Sequence, residues 1–176
     1  MAIAKRKKRF FDVEIPILNK ETQLQAYELS ELEGRTLIYD LTRLLRGKNI
    51  LAQFRVNVKG DKAEAEPREI KLLPSFLRRM IRKGTNQIDD SFEVQTKDFK
   101  VLIKPFLITR RKVPRAIRTA LRNKTREELI SYAQNRTGMQ IFEDIIKNTL
   151  QKELSFKLKK IYPLSLCEIR IFKIKN

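Results

Sequence analysis

The chain has 176 residues and carries 39 bases against 21 acids, a net charge of +18, with no histidine, one cysteine and five scattered glycines. That length suits one ordinary domain, and an apolar content of 41% argues against wholesale disorder. The missing histidine excludes Ser-His-Asp triads, Cys-His pairs and the usual zinc sites, and the scattered glycines exclude a Walker loop, a dinucleotide fingerprint and a Gly-x-x-Gly clamp.

Charge falls in blocks along the chain. Residues 1–11 hold five bases and no acid: Lys5, Arg6, Lys7, Lys8 and Arg9. Phe10 and Phe11 follow, and Asp12 and Glu14 then break any signal-peptide core. This basic, aromatic tail is expected to be disordered without RNA, its aromatics suited to stack on unpaired bases or insert into a folded RNA; its composition equally suits a nuclear import signal. Otherwise Phe10 and Phe11 start the first strand, with at least one of them in the core. From Asp12 to Asp40 seven acids face two bases. "GRTLIYDL" predicts a strand running into one helical turn, Thr42 to Arg46, capped by Gly47. "ILAQFRVNVKG" alternates, with Ile50, Ala52, Phe54, Val56 and Val58 on one face. "KGDK" predicts a hairpin turn into "AEAEPREIKLL", where Pro67 marks an edge or bulged strand.

"PSFLRRMIRKG" predicts a helix from proline to glycine, with Phe76, Leu77, Met80 and Ile81 inside and Arg78, Arg79, Arg82 and Lys83 outside. "SFEVQT" and "FKVLIKPFLITR" predict two more strands, the second interrupted by Pro105. After Pro114 the pattern is helical, and "TREE" (from Thr125) and "TGMQ" (from Thr137) both fit capping boxes. Phe142, Ile146, Leu150, Leu154, Leu158 and Ile161 predict one last helix over about 138–160. Tyr162-Pro163 stops it, and "LSLCEIRIFKIK" closes the chain as a strand that pairs back into the sheet. The expected fold is α+β: a mainly antiparallel curled sheet or small barrel with basic helices on one side. Residues 12–176 are expected to form one domain.

The largest basic block is 99–126, with ten bases and no acid. On a helix starting at Pro114, Arg115, Arg118 and Arg122 fall within about 60° of one another, opposite Ile117, Ala120 and Leu121. Arg110, Arg111 and Lys112 extend the same field, and Lys124 continues it. Arginine predominates, which favours bidentate recognition of phosphate. Such a surplus costs self-repulsion, and a phosphate polymer outside the chain would offset it. A membrane surface fits less well, because the basic helices carry apolar faces patterned for a core. No apolar run approaches the roughly 18 residues that span a bilayer. The lone Cys167 fits a reducing cytosol. A different chemistry stays open at "QIDDSFEVQTKDFK", where Asp89, Asp90 and Glu93 could hold Mg²⁺ for RNA cleavage.

"FFDVEIP" after a basic tail, "LEGRTLIYDLTRL", "LITRRKVPRAIRTALR" and "KKIYPLSLCEIR" together resemble the S-three-A family of small-subunit ribosomal proteins found in archaea and eukaryotes, over about residues 10–175. Eukaryotic members tend to have an aromatic pair beginning with Trp where Phe10-Phe11 stands, and they carry a C-terminal extension where this sequence has little after its final strand. The resemblance implies a structural, non-enzymatic protein on the platform side of the small subunit, near where mRNA leaves. It implies ribosomal RNA as partner through Arg110, Arg111, Lys112, Arg115, Arg118 and Arg122, with Lys5 to Arg9 threading between RNA segments and the acidic block Glu21 to Asp40 facing solvent or a basic protein. Neighbouring ribosomal proteins are further partners, with mRNA and initiation factors as candidates near the exit. No catalytic residue, metal, cofactor, membrane or homo-oligomer is expected, and the location is cytoplasmic.

Overall fold

The computed structural model describes residues 7–45, 47–60 and 62–175. Its strands form an open, mostly antiparallel sheet, so the α+β expectation holds in its curled-sheet form and not as a closed barrel. The chain divides into two compact units, residues 1–39 with 52–68 and residues 40–51 with 69–176.

In the first unit, β1 (Arg9–Ile15) and β2 (Lys20–Ala26) form a hairpin in register from Arg9↔Ala26 to Ile15↔Lys20. A single 3₁₀ turn, Pro16–Leu18, joins them, and Asn19 closes it at φ 48°, a conformation asparagine tolerates better than most residues. Val13 and Ile15 are fully buried, whereas Phe10 is 63% exposed and Phe11 half-buried, so neither joins the core. The acidic segment then runs through a 3₁₀ turn, Leu29–Leu32, into β3 (Thr36–Asp40). Next come β4 (Ile50–Lys59) and β5 (Lys62–Leu72), which pair with each other. In β4 the alternation holds, with Ala52, Phe54 and Val56 buried. Glu33 accepts from the Val58 amide, and Gly34 (φ 72°) donates to Val56 O at 2.8 Å.

Pro67 does not mark an edge. β5 pairs with β4 and, in parallel, with β1 at Val13↔Ala63; from Glu69 it takes up a second antiparallel partner near the C terminus. Pro67 is buried in the short interval between those two registers, at a position that neither of them uses.

The second unit holds the helices. Before β4 the chain makes the expected turn after β3, Gly47 (φ 87°) donating to Thr42 O. Helix α1 (Pro74–Met80) buries Phe76 and Leu77 but stops a turn earlier than expected; Met80 and Ile81 are exposed, and Gly84 belongs to the turn that follows. Short strands β6 (Gln87–Asp89) and β7 (Phe92–Gln95) both pair with one side of β8 (Lys100–Thr109). Pro105 does not interrupt β8, because the ladder absorbs it as a register shift between Lys104 and Pro105. On the other side of β8 lies β9 (Leu164–Lys175), which also takes the end of β5. The closing strand thus pairs back into the sheet, as expected, and lies between β5 and β8.

Helix α2 (Arg115–Gln134) is unbroken. "TREE" is no cap: Thr125 is buried mid-helix and its hydroxyl donates to Leu121 O at 2.7 Å. "TGMQ" is a full capping box at the start of α3 (Gly138–Lys147). The last helix is split, because Asn148 adopts φ 61° and α4 (Thr149–Leu158) restarts after it. Phe142 meets Phe172 of β9 edge to face at 6.4 Å, and Leu121, Leu129, Leu150, Leu154 and Leu158 complete the helical side of the core.

Candidate nucleic-acid interface

The basic link between β8 and α2 is pinned by a residue far away in sequence. Asn86 Oδ1 accepts from the Val113 amide at 2.8 Å, and the Asn86 amide donates to Thr109 Oγ1 at 2.9 Å. Thr109, fully buried, donates its hydroxyl to Arg111 O at 2.7 Å and its own amide to Asn86 O at 2.9 Å. The link therefore leaves the sheet with a fixed backbone while Arg110, Arg111 and Lys112 stand exposed. The same Asn86 follows directly on the turn that carries Arg82 and Lys83, where Thr85 donates twice to Arg82 O. Two basic segments, 82–83 and 110–112, thus meet at one hydrogen-bonded pair.

Among the described residues, the side chains of Arg82, Lys83, Arg110, Arg111, Lys112 and Arg115 have no ion-pair partner. The first turn of α2 holds no acid either, so the positive end of a 20-residue helix dipole adds to the field. Such an arrangement can hold several phosphate groups at once, by guanidinium forks and by long-range attraction.

The other sequence-predicted residues are placed differently. Arg118 and Arg122 do not stand opposite the core. The buried stripe of α2 runs through Leu121, Thr125, Leu129 and Ala133, and Arg118 lies on that same face, half-buried, its Nε sealed from solvent without a partner. Ala120, expected in the core, is exposed. Arg122 donates to the Asp89 carbonyl at 3.3 Å. Lys124 is engaged by Glu127 at 3.3 Å and Glu128 at 3.2 Å, and the hydrogen bond to Glu128, ahead of that to Glu127, raises its pKa. Arg79 stacks over Phe76 at 5.8 Å and reaches Asn49, while Arg78 is exposed. In the first unit Lys7 and Arg9 are exposed and Lys8 lies over the Tyr27 ring at 5.6 Å. Lys5 and Arg6 lie outside the described residues.

The three carboxylates considered for Mg²⁺ face separate partners, and Asp90 Oδ2, sealed from solvent, has no hydrogen bond. Asp89, which ends β6 and is not in a loop, accepts from Gln87. Asp90 accepts from the Ser91 amide at 2.9 Å and faces Arg126 at 3.9 Å. Glu93 binds Lys100 at 2.8 Å and also Lys175; the hydrogen bond from Lys100, then that from Lys175, pull its pKa down to about 2. No group of three metal-ligating side chains occurs among the described residues.

Two features escaped sequence reasoning. Asn86 gave no signal, since its partners lie 23 and 27 residues away. Phe156 did give one: it falls outside the apolar series Leu150, Leu154, Leu158, which puts it on the outer face of α4.

An α+β chain with a pinned, unneutralised arginine-rich link presents a surface with the charge and geometry to attract a polyanion. The comparisons make it specific. The model of the ribosomal S3Ae family matches residues 4–176, and the chain belongs to that family. It is 29% identical over 182 residues to a small ribosomal subunit protein eS1 of Nanoarchaeum equitans, covering 97% of this chain and 90% of that protein. It is 31% identical over 157 residues to the eS1 protein of Pyrobaculum aerophilum, covering 86% and 71%. A third eS1 protein, from Saccharolobus islandicus, is 27% identical over 175 residues, covering 95% and 84%.

Proposed function

We propose that this protein is a structural, non-catalytic constituent of the small ribosomal subunit, held there by ribosomal RNA. The phosphates dock on the link Arg110–Lys112, on Arg115, and on Arg82 and Lys83, with Arg122 beyond them along α2. Lys5 to Arg9 thread between RNA segments, with Arg9 doing so from the first position of β1. Its place is the platform side near the mRNA exit, in the cytoplasm, beside other small-subunit proteins, with mRNA and initiation factors passing close by. The observation that carries this reading is the joint at Asn86, which holds two basic segments together without supplying a single carboxylate to either.

The test is co-sedimentation with small subunits after Arg110→Glu, Arg111→Glu and Arg115→Glu are combined. All three side chains are exposed and unpaired, so the variant should keep its circular dichroism and lose its place on the particle. A triple variant that sediments with small subunits like the unmodified chain refutes the assignment.

A further inference from the structure

A groove of about 540 Å³ lies in the second unit between α4, the start of β9 and the end of β8. It is lined by Arg110, Gln151, Lys152, Phe156, Lys159 and Cys167, among others, and no acid lines it among the described residues. Phe156 is 73% exposed, more than any other large apolar side chain described. Lys152, Phe156 and Lys159 follow one another down a single face of α4, within about 60° of helical rotation, so the ring stands between two ammonium groups. Arg110 closes the opposite side, placed there because Thr109 pairs with Leu164, the first residue of β9.

The floor adds a polar feature. Gln151 is only 3% exposed, and its Nε2 donates to Ile145 O at 3.1 Å, which leaves its Oε1 with no partner. A buried acceptor without a donor costs stability unless something arrives to satisfy it. Cys167 brings no charge: burial, then the neighbouring Glu168 carboxylate, push its thiol up to about 12, so it stays protonated in the cell. Glu168 itself is held by Lys48 at 2.5 Å.

An aromatic face between cations, with an unanswered acceptor beneath it, matches an unpaired nucleotide. Every base offers a π-face to stack on an aromatic ring and at least one N–H donor, and ribose offers a 2′-hydroxyl. We propose that this groove takes one unpaired ribonucleotide of single-stranded RNA, its base stacked on Phe156, its flanking phosphates on Arg110, Lys152 and Lys159, and a base N–H or the 2′-hydroxyl directed to Gln151. The proposal rests on the RNA-binding reading above. It is favoured over a protein occupant because the groove shares Arg110 with the phosphate-facing link, so a strand tracking along the link runs directly into it.

The chain has no tryptophan, so Phe156→Trp installs a sole indole reporter at the stacking position. Titrated with a single-stranded adenylate hexamer at low salt, that variant should show saturable quenching. Phe156→Ala should weaken the hexamer by at least about fivefold, the lower end for losing one stacked base, and Phe156→Tyr should restore it. None of these changes should move the affinity for a duplex RNA hairpin by more than about twofold. Since the side chain is exposed, a folding defect does not confuse the result. Equal hexamer affinity for Phe156→Ala and the unmodified chain overturns the proposal. So does quenching by an aromatic, glutamate-rich peptide in place of the hexamer, which would assign the groove to an acidic protein segment. If the duplex still binds and is lost with Arg111→Glu and Arg115→Glu, only the groove fails. If the unmodified chain binds neither RNA, the RNA-binding reading falls with it.

Discussion

Lys100 and Arg111 belong to the same acid-free run of sequence, yet they meet opposite fates. Lys100 starts β8 and is neutralised across the sheet by Glu93, which also takes Lys175. At the far end of the run, Lys124 and Arg126 are met by Glu127, Glu128 and Asp90. The middle, Arg110 to Arg115, is met by nothing among the described residues. A basic run in sequence is therefore not a basic surface. Topology imports carboxylates to its two ends and withholds them from the centre, and the centre is where an external polyanion gains most.

The sharpest way to break this comparison is to reverse charge in each part and measure RNA affinity against salt. Arg110→Glu, Arg111→Glu and Arg115→Glu together should lower affinity by roughly 100-fold or more at moderate salt and flatten the log–log salt slope by about two to three units. Lys124→Ala, at the neutralised end, should change affinity less than about twofold. Equal losses would show that neutralisation within the chain is irrelevant to binding.

Asn86→Ala probes the pinning instead of the charge. It removes the acceptor for the Val113 amide, at a cost of about 1–3 kcal/mol in chemical denaturation. With every cation still present, RNA affinity should fall severalfold while the salt slope stays unchanged. A slope that fell as well would mean the link had lost contacts and not merely its preorganisation.

The smallest expected effect belongs to Glu93→Gln. Lys100 and Lys175 lie directly opposite each other, so removing the carboxylate leaves like charges facing across the ladder. Two freed cations should steepen the salt slope slightly. In the unmodified chain the depressed Glu93 pKa stabilises the fold above its ordinary value of 4.5, and that contribution is lost as pH falls through about 2. Urea midpoints of the two proteins should therefore differ at pH 6 and converge toward pH 2. A constant gap across that range would remove Glu93 as the source.

Local chemistry was legible wherever one residue dictates one geometry. The β4 alternation, the Thr137 capping box and the Gly47 turn needed nothing beyond their own segments. Misreadings arose where a local signal had two solutions. Thr125 satisfied the capping-box pattern but bonds back along its own helix, because α2 had already begun at Arg115. Asn148 was invisible because the apolar series continues in phase across it, from Phe142 to Leu150 and Leu158. Pro67 and Pro105 announced edges or breaks, yet both sit inside the sheet, one between two partners and one at a bulge.

For the interface the division is similar. Charge is a property of composition, so the sequence alone determined that the molecule is strongly basic, that its bases cluster between Phe99 and Arg126, and that histidine chemistry is closed to it. Only the tertiary structure decided which of those bases remain free. That depends on where Glu93, Asp90 and Glu128 arrive through strand pairing and helix packing, and on Asn86 bridging to Thr109 and Val113, contacts between residues that one-dimensional periodicity cannot bring together.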